Sequence, residues 1–273
     1  MTTRRSFLAL AMPSALALAS IAGGGTAAAT NSASRAHSQA VRITDSGLAM
    51  PAIVSGPVID LTIRNDDRIA RELAVAQVAP GTTLDEVMAA AALGGDEAAP
   101  WFIADPGGVF FIGAGEQVRY QRQLQPGTYV FHAVIGDGSH DAASEYQMVR
   151  ITSSGRRELP EAERVNRLGD AGIMLPRLTA GTHRYAITNV GTTPHEVFIV
   201  GVHDPADLAR ADEIGAWLAG GQVGPPPVPV HFPGSHQTIE PGVTVVLTLD
   251  LRRATTYAFV DFQTGATSIG ATR

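Results

Sequence analysis

The chain has 273 residues, a net charge of −6, 45% hydrophobic residues and no cysteine. That is enough chain for one large domain or two ordinary ones with real cores. The missing cysteine excludes disulfides, thiolate metal sites, iron–sulfur clusters and cysteine nucleophiles. No long basic run exists, so nucleic acid is not an expected partner.

The N-terminus carries Thr3-Arg4-Arg5-Ser6-Phe7-Leu8, an apolar run from Ala9 to Ala22 and the small stretch Ala27-Ala28-Ala29. A charged start, a modest apolar stretch and a small-residue cleavage site define a secretory signal over residues 1–29. The paired arginines resemble the twin-arginine export signal. The apolar run is shorter than the ~20 residues of a spanning helix. The expectation is therefore a periplasmic or extracellular product with no membrane span. Residues 30–40, rich in Ser, Ala and Asn, read as a disordered lead-in.

From residue 41 the pattern is short strands separated by turns, and it occurs twice. Asp45-Ser-Gly-Leu-Ala-Met-Pro51 and the alternating run Val58–Asn65 are matched by Asp170-Ala-Gly-Ile-Met-Leu-Pro176 and His183–Asn189. A polar turn follows each asparagine, then a second strand, Glu72–Val78 or Glu196–Val202. Each half next carries a helical insert. Thr83–Ala92 opens on a capping threonine and early acids. Asp207–Leu218 is its counterpart, with Asp204 as a cap. Strands at Gly115–Leu124 and Gly242–Leu251 follow, then tyrosine-led strands at Tyr129–Ile135 and Tyr257–Phe262. This order predicts domains at 41–152 and 165–273, joined by a linker at 153–164.

Asn189-Val-Gly-Thr-Thr-Pro-His195-Glu196-Val-Phe resembles a segment of bacterial cupredoxin (plastocyanin- and azurin-like) domains. So do Glu240-Pro-Gly242 and Tyr257-Ala-Phe-Val. The resemblance implies an all-β chain of two tandem Greek-key cupredoxin-like β-sandwiches, each with a short helical insert. It also implies where copper ligands would sit. In the second half His195 matches the first imidazole, Asp261 falls on the cysteine position, and the loop Gly265–Gly270 lacks the second histidine. In the first half the corresponding positions fall near Arg71 and on Ala133, His140 matches the second histidine, and Glu145 lies near the axial ligand. A blue-copper centre needs a thiolate, so the resemblance carries fold without electron transfer.

Three histidines are candidate metal ligands: His132, His140 and His195. His132 precedes the vacant cysteine position and is expected to face outward, as a surface histidine or as a ligand to copper between domains or subunits. His195 is expected to pair with Asp261, a hydrogen bond replacing the metal. His231 and His236 lie in the proline-rich run 224–236. They read as solvated loop residues, or His236 approaches His195.

Two functional readings stand. One is a non-catalytic binding or structural module of the cell envelope, with no cofactor and with an envelope protein or small ligand as partner. The other is a His-only copper protein, handling copper or holding it between domains, with oxidase or reductase activity. Family resemblance makes homo-oligomers an expectation of the second reading.

Overall fold

The computed structural model describes residues 38–92, 99–135 and 145–273. The leader, most of the lead-in and His140 lie outside these residues. The first half opens with β1 (Gln39–Thr44), β2 (Gly47–Ala49), β3 (Ile53–Ser55), β4 (Val58–Asn65) and β5 (Arg71–Val78). It continues through α1 (Leu84–Ala92), β6 (Phe102–Ala104), β7 (Val109–Ile112), β8 (Gln117–Gln123), β9 (Gly127–Ile135) and β10 (Tyr146–Thr152). The second half follows with β11 (Arg164–Gly169), β12 (Gly172–Met174), β13 (Gly181–Asn189), β14 (His195–Val202) and α2 (Ala211–Ala219). It ends with β15 (Val230–His231), β16 (His236–Ile239), β17 (Thr244–Leu251), β18 (Thr256–Asp261) and β19 (Thr267–Ala271). β1 starts two residues inside the segment read as lead-in.

The chain is all-β, built of sheets packed face to face. Sheet order shows why the repeated pattern folds twice. β4 pairs with β8 and β13 with β17, both antiparallel, while β5 pairs with β9 and β14 with β18. β1 and β11 run parallel to β4 and β13. The two sandwiches share one sheet, which the sequence did not predict. β17 pairs antiparallel with β8, Leu247 facing Tyr120, so the strands β12-β11-β13-β17-β8-β4-β1-β2 form one eight-stranded sheet. Two smaller sheets, one per half, pack on its inner face. A single apolar core fills the space between, from Ile43, Ile63 and Phe131 to Tyr185, Leu247 and Phe259.

The inserts cover the far faces of the smaller sheets. α1 lies over Val78, Val130 and Tyr146, with Val87 buried. Thr83 and Glu86 cap it reciprocally: the Thr83 backbone N–H donates to Glu86 Oε2 at 2.8 Å, and the Glu86 N–H donates to Thr83 Oγ1 at 3.3 Å. The second insert, expected as one helix, divides into a 3-10 turn, Pro205–Arg210, and α2. Asp204 caps the turn by accepting the Ala206 N–H at 2.9 Å, and α2 buries Ile214 and Leu218 against Phe198 and Val200.

The asparagines that close β4 and β13 do the same work in each half. Asn65 Nδ2 donates to the Ile69 and Ile112 carbonyls at 2.8 and 2.7 Å. Asn189 Nδ2 donates to the Thr193 and Ile239 carbonyls at 2.8 and 2.7 Å. Each side chain satisfies two carbonyls that the turn would otherwise bury unpaired. Asn189→Ala strands both of its carbonyl partners. It should lower the unfolding free energy by about 2 kcal/mol or more, read as a shift of the urea midpoint with unchanged slope.

Candidate functional site

The register shows where the positions read from the resemblance as ligand positions stand in each half. Leu73 of β5 faces Ala133 of β9, and Val197 of β14 faces Asp261 of β18. Two residues earlier on β5 and β14 stand Arg71 and His195. Arg71 and His195 open β5 and β14, and Ala133 and Asp261 lie at or near the ends of β9 and β18, so in each half the pair sits at the end where the resemblance expects a metal cavity.

In the second half that cavity is closed by an imidazole and a carboxylate. His195 Nδ1 lies 2.6 Å from Asp261 Oδ2, and the side chains are 0% and 1% exposed. A carboxylate only accepts, so Nδ1 carries the proton and donates it. Asp261 is held from every side: it accepts from Thr264 Oγ1 at 2.7 Å, the Gln263 N–H at 3.1 Å and the Glu196 N–H at 3.3 Å. These bonds compensate the loss of water around a buried charge. The expected pair is thus present in direct contact. Outside it, His195 Nε2 is 3.4 Å from Asp170 Oδ1, whose carboxyl is lowered to about 2, chiefly by hydrogen bonds from Thr192. Gly191 is required here, because a Cβ would stand 2.6 Å from His195 Nε2 and 2.5 Å from Asp170 Oδ1.

The first half solves the same problem with an ion pair. Arg71 is buried, with Nε 2.8 Å from Asp67 Oδ2 and Nη1 3.3 Å from Glu145 Oε1. The residues read from sequence as standing near the first-imidazole and axial positions therefore meet each other. Asp67 occupies the turn position that Gly191 holds in the second half, two residues after the asparagine.

His132 corrects the sequence expectation. Ala133 does face the core, and His132 on the opposite face of β9 is buried as well. Its ring stacks on Tyr146 at 3.9 Å between centroids and 7° between planes. It is not a surface histidine. His231 and His236 are also buried, against the expectation of a solvated loop. The loop is pinned to β7: Phe110 and Ser235 exchange backbone hydrogen bonds at 3.2 and 2.9 Å, and Gly113 N–H donates to the Phe232 carbonyl at 2.9 Å. His236 does not reach the His195 pair. Its ring lies tilted beside that of Tyr120, 5.4 Å between centroids, and its Nδ1 is 2.5 Å from the Gln237 carbonyl.

A second buried polar layer lies where the halves meet, and the sequence did not point to it. Arg122 bonds the Pro106 carbonyl, the Thr238 carbonyl at 3.1 Å and Glu240 Oε2 at 2.5 Å. Glu72 and Glu196, equivalent residues of the two halves, face the same region. Burial pushes the Glu72 carboxyl up to about 8 and the Glu196 carboxyl up to about 7. The segment Gly107-Gly108 must be glycine, since a Cβ on Gly108 would run into the Leu73 carbonyl. The available signal was the acid repeated after each first-ligand position.

These residues do not fit a type 1 copper ion. The cysteine position holds the carboxylate of Asp261, and the imidazole nitrogen that faces it is already bonded. Among the described residues no group of three or more His, Asp or Glu side chains is arranged to hold a metal ion.

No protein-family description and no curated protein matches this chain. Solved structures do align with it. Auracyanin from Roseiflexus castenholzii shares 16% identity over 41% of this chain and 94% of its own, with a TM-score of 0.28. An azurin from Methylomonas sp. strain J shares 10% over 44% and 99%, with a TM-score of 0.29. A copper-containing nitrite reductase from Thermus scotoductus shares 11% over 87% of this chain, which spans 61% of that enzyme, with a TM-score of 0.23. At these identities and scores the likeness assigns no chemistry to this chain.

Two measurements check the site. Asp261→Ala leaves His195 buried without its acceptor and should cost about 3 kcal/mol of stability. The far-downfield, slowly exchanging imidazole proton expected from the 2.6 Å bond should vanish from its NMR spectrum. The second concerns pH. Glu72 and Glu196 are raised above the ordinary 4.5, so the unfolded chain releases their protons first, and stability falls as pH rises from about 4.5 to 8. Burial holds His236 down at about 3 against an ordinary 6.5, so its contribution is lost as pH falls through that interval. Thermal melts should therefore peak on the acid side of neutrality and decline toward pH 8, and Glu72→Gln should flatten the alkaline decline.

Proposed function

We propose that this chain is an exported, cupredoxin-like binding module of the cell envelope that works without copper and without catalysis. The carrying observation is the buried 2.6 Å bond between His195 and Asp261. A proton occupies the line between imidazole and carboxylate that a metal would need, and extracting it would unpair a buried carboxylate. The Arg71 ion pairs support the same reading for the first half, since a guanidinium cannot ligate a metal. The twin-arginine leader supports delivery across the inner membrane as a folded protein. Among the described residues no helix is long and apolar enough to cross a membrane.

The His-only copper reading draws on one observation: His195 Nε2 points toward Asp170, a half-exposed carboxylate 3.4 Å away. Incubation of the exported chain with Cu(II), removal of excess metal, then metal analysis and EPR separate the two. Substoichiometric, nonspecific copper is the expected result. Stoichiometric copper that disappears in His195→Ala or His132→Ala would overturn the proposal in favour of the second reading.

A further inference from the structure

The two halves enclose a cleft of about 340 Å³, at the small end of the size range of ligand sites. Its floor is a clamp between halves: Gln222 Nε2 donates to the Ala70 carbonyl at 2.8 Å, and its Oε1 accepts the Ala70 N–H at 2.7 Å. The clamp leaves that backbone satisfied. One wall is apolar, formed by Trp217, Val230 and Phe232. Trp217 donates its indole N–H to the Gly224 carbonyl at 3.2 Å, which fixes the ring.

The other wall is polar and ordered by a relay. Tyr257 Oη accepts the Arg252 backbone N–H at 2.8 Å and stands 2.7 Å from His231 Nδ1. The hydroxyl therefore donates to Nδ1, and the ring's proton sits on Nε2, 3.4 Å from Glu116 Oε1. Arg252 Nη2 lies 2.5 Å from the same oxygen. These partners hold the Glu116 carboxyl below its ordinary range. Glu116 is thus engaged from within the protein. What remains for a ligand are the other N–H groups of Arg252 and the exposed guanidinium of Arg68, which forms no ion pair among the described residues.

We propose that this cleft binds a small organic monocarboxylate with a flat apolar body, a site that rests on the reading of the chain as a binding module. Arg68 and Arg252 take the carboxylate, and Trp217 and Phe232 take the body. Fork-shaped guanidinium groups match a planar carboxylate. A cation would face two arginines, and the charges of Arg68, Arg252 and Glu116 sum to one positive, which matches a monoanion rather than a dianion.

Phenylacetate, 3-phenylpropanoate and indole-3-acetate are suitable probes, with benzyl alcohol and benzylamine as uncharged and cationic controls. Calorimetry on the unmodified chain should give saturable binding of at least one acid. Benzyl alcohol should bind about fivefold more weakly or worse, and benzylamine not at all. Arg68→Ala should weaken the acid about fivefold or more, and Arg68→Lys should recover part of the loss. In Trp101→Phe, Trp217 is the remaining indole of the chain's two, and its fluorescence should track the same titration. Absence of saturable binding by all three acids, equal binding of the alcohol, or affinity unchanged in Arg68→Ala would each overturn the proposal. Copper retention reads His195 and His132 rather than this cleft, so either proposal can fail without the other.

Discussion

The backbone ladder between β8 and β17 sets the geometry of everything else. It joins the edge of one sheet to the edge of the other, with Val245 opposite Arg122 and Thr248 opposite Arg119. Two sandwiches linked only by a flexible segment would be free to reorient. Here the hydrogen bonds of a continuous sheet fix both halves, and the buried side chains form one core across the junction. The junction also removes two exposed edges, which would otherwise invite pairing with other chains. With the halves locked, β7 of the first half lies against the loop after α2. Phe111 packs against Phe198 and Phe232 at centroid distances of 5.3 and 5.8 Å. The cleft is the space left on the far side of that contact.

The same lock explains the buried polar groups between the halves. Arg122 sits on β8, one residue from the strand's end, directly at the junction. Its guanidinium reaches carbonyls and a carboxylate of both halves, so one side chain satisfies groups that neither half could satisfy alone. Glu72 and Glu196 meet there because equivalent strands of both halves end in the same region. Their raised carboxyls follow from burial first; the charge of Glu196 adds to it at Glu72, and the charges of Asp105 and Asp261 add to it at Glu196. The interface is therefore sensitive to alkali in a way that the core is not.

Most of the strand pattern was legible because it is written in local terms. Alternation, the terminal asparagines and the capping box at Thr83 each act within a few residues. The His195–Asp261 pair was legible for a different reason: a carboxylate in an apolar strand requires a partner, and the cupredoxin resemblance named it. The β8–β17 ladder was not legible, since a strand's alternation says which residues face inward but not which edge meets another. The burial of His231 and His236 was missed because a proline-rich run usually marks a solvated loop. Phe110 and Phe111 were the overlooked signal. Their rings stack 5.8 Å apart, and with a φ of 33° at Phe111 both join one aromatic cluster, so two neighbouring aromatics called for an apolar partner over β7. His132 failed as an outward residue because parity gave its face correctly, but the Tyr146 ring of β10 that stacks on it is read only in three dimensions.

The two halves close the same cavity with opposite chemistry, and this follows from what each turn supplies. In the first half the residue two after Asn65 is Asp67, whose carboxylate reaches Arg71 at 2.8 Å. In the second half the corresponding residue is Gly191, with no side chain to offer, and His195 must find its acceptor across the sheet at Asp261. Changing only the strand residue, His195 to arginine, would place a larger cation against Asp170 and Asp261 with no room beside Gly191. Changing only Asp261 to alanine would strand the imidazole. Each solution is thus a matched set spanning a turn, a strand end and the facing strand. Both sets hold the strand ends together without a metal, which leaves the end of each smaller sheet rigid in the apo chain. A rigid frame is what an interdomain cleft lined by paired arginines and a fixed indole needs, because the cost of ordering those side chains is then met by folding rather than by the ligand.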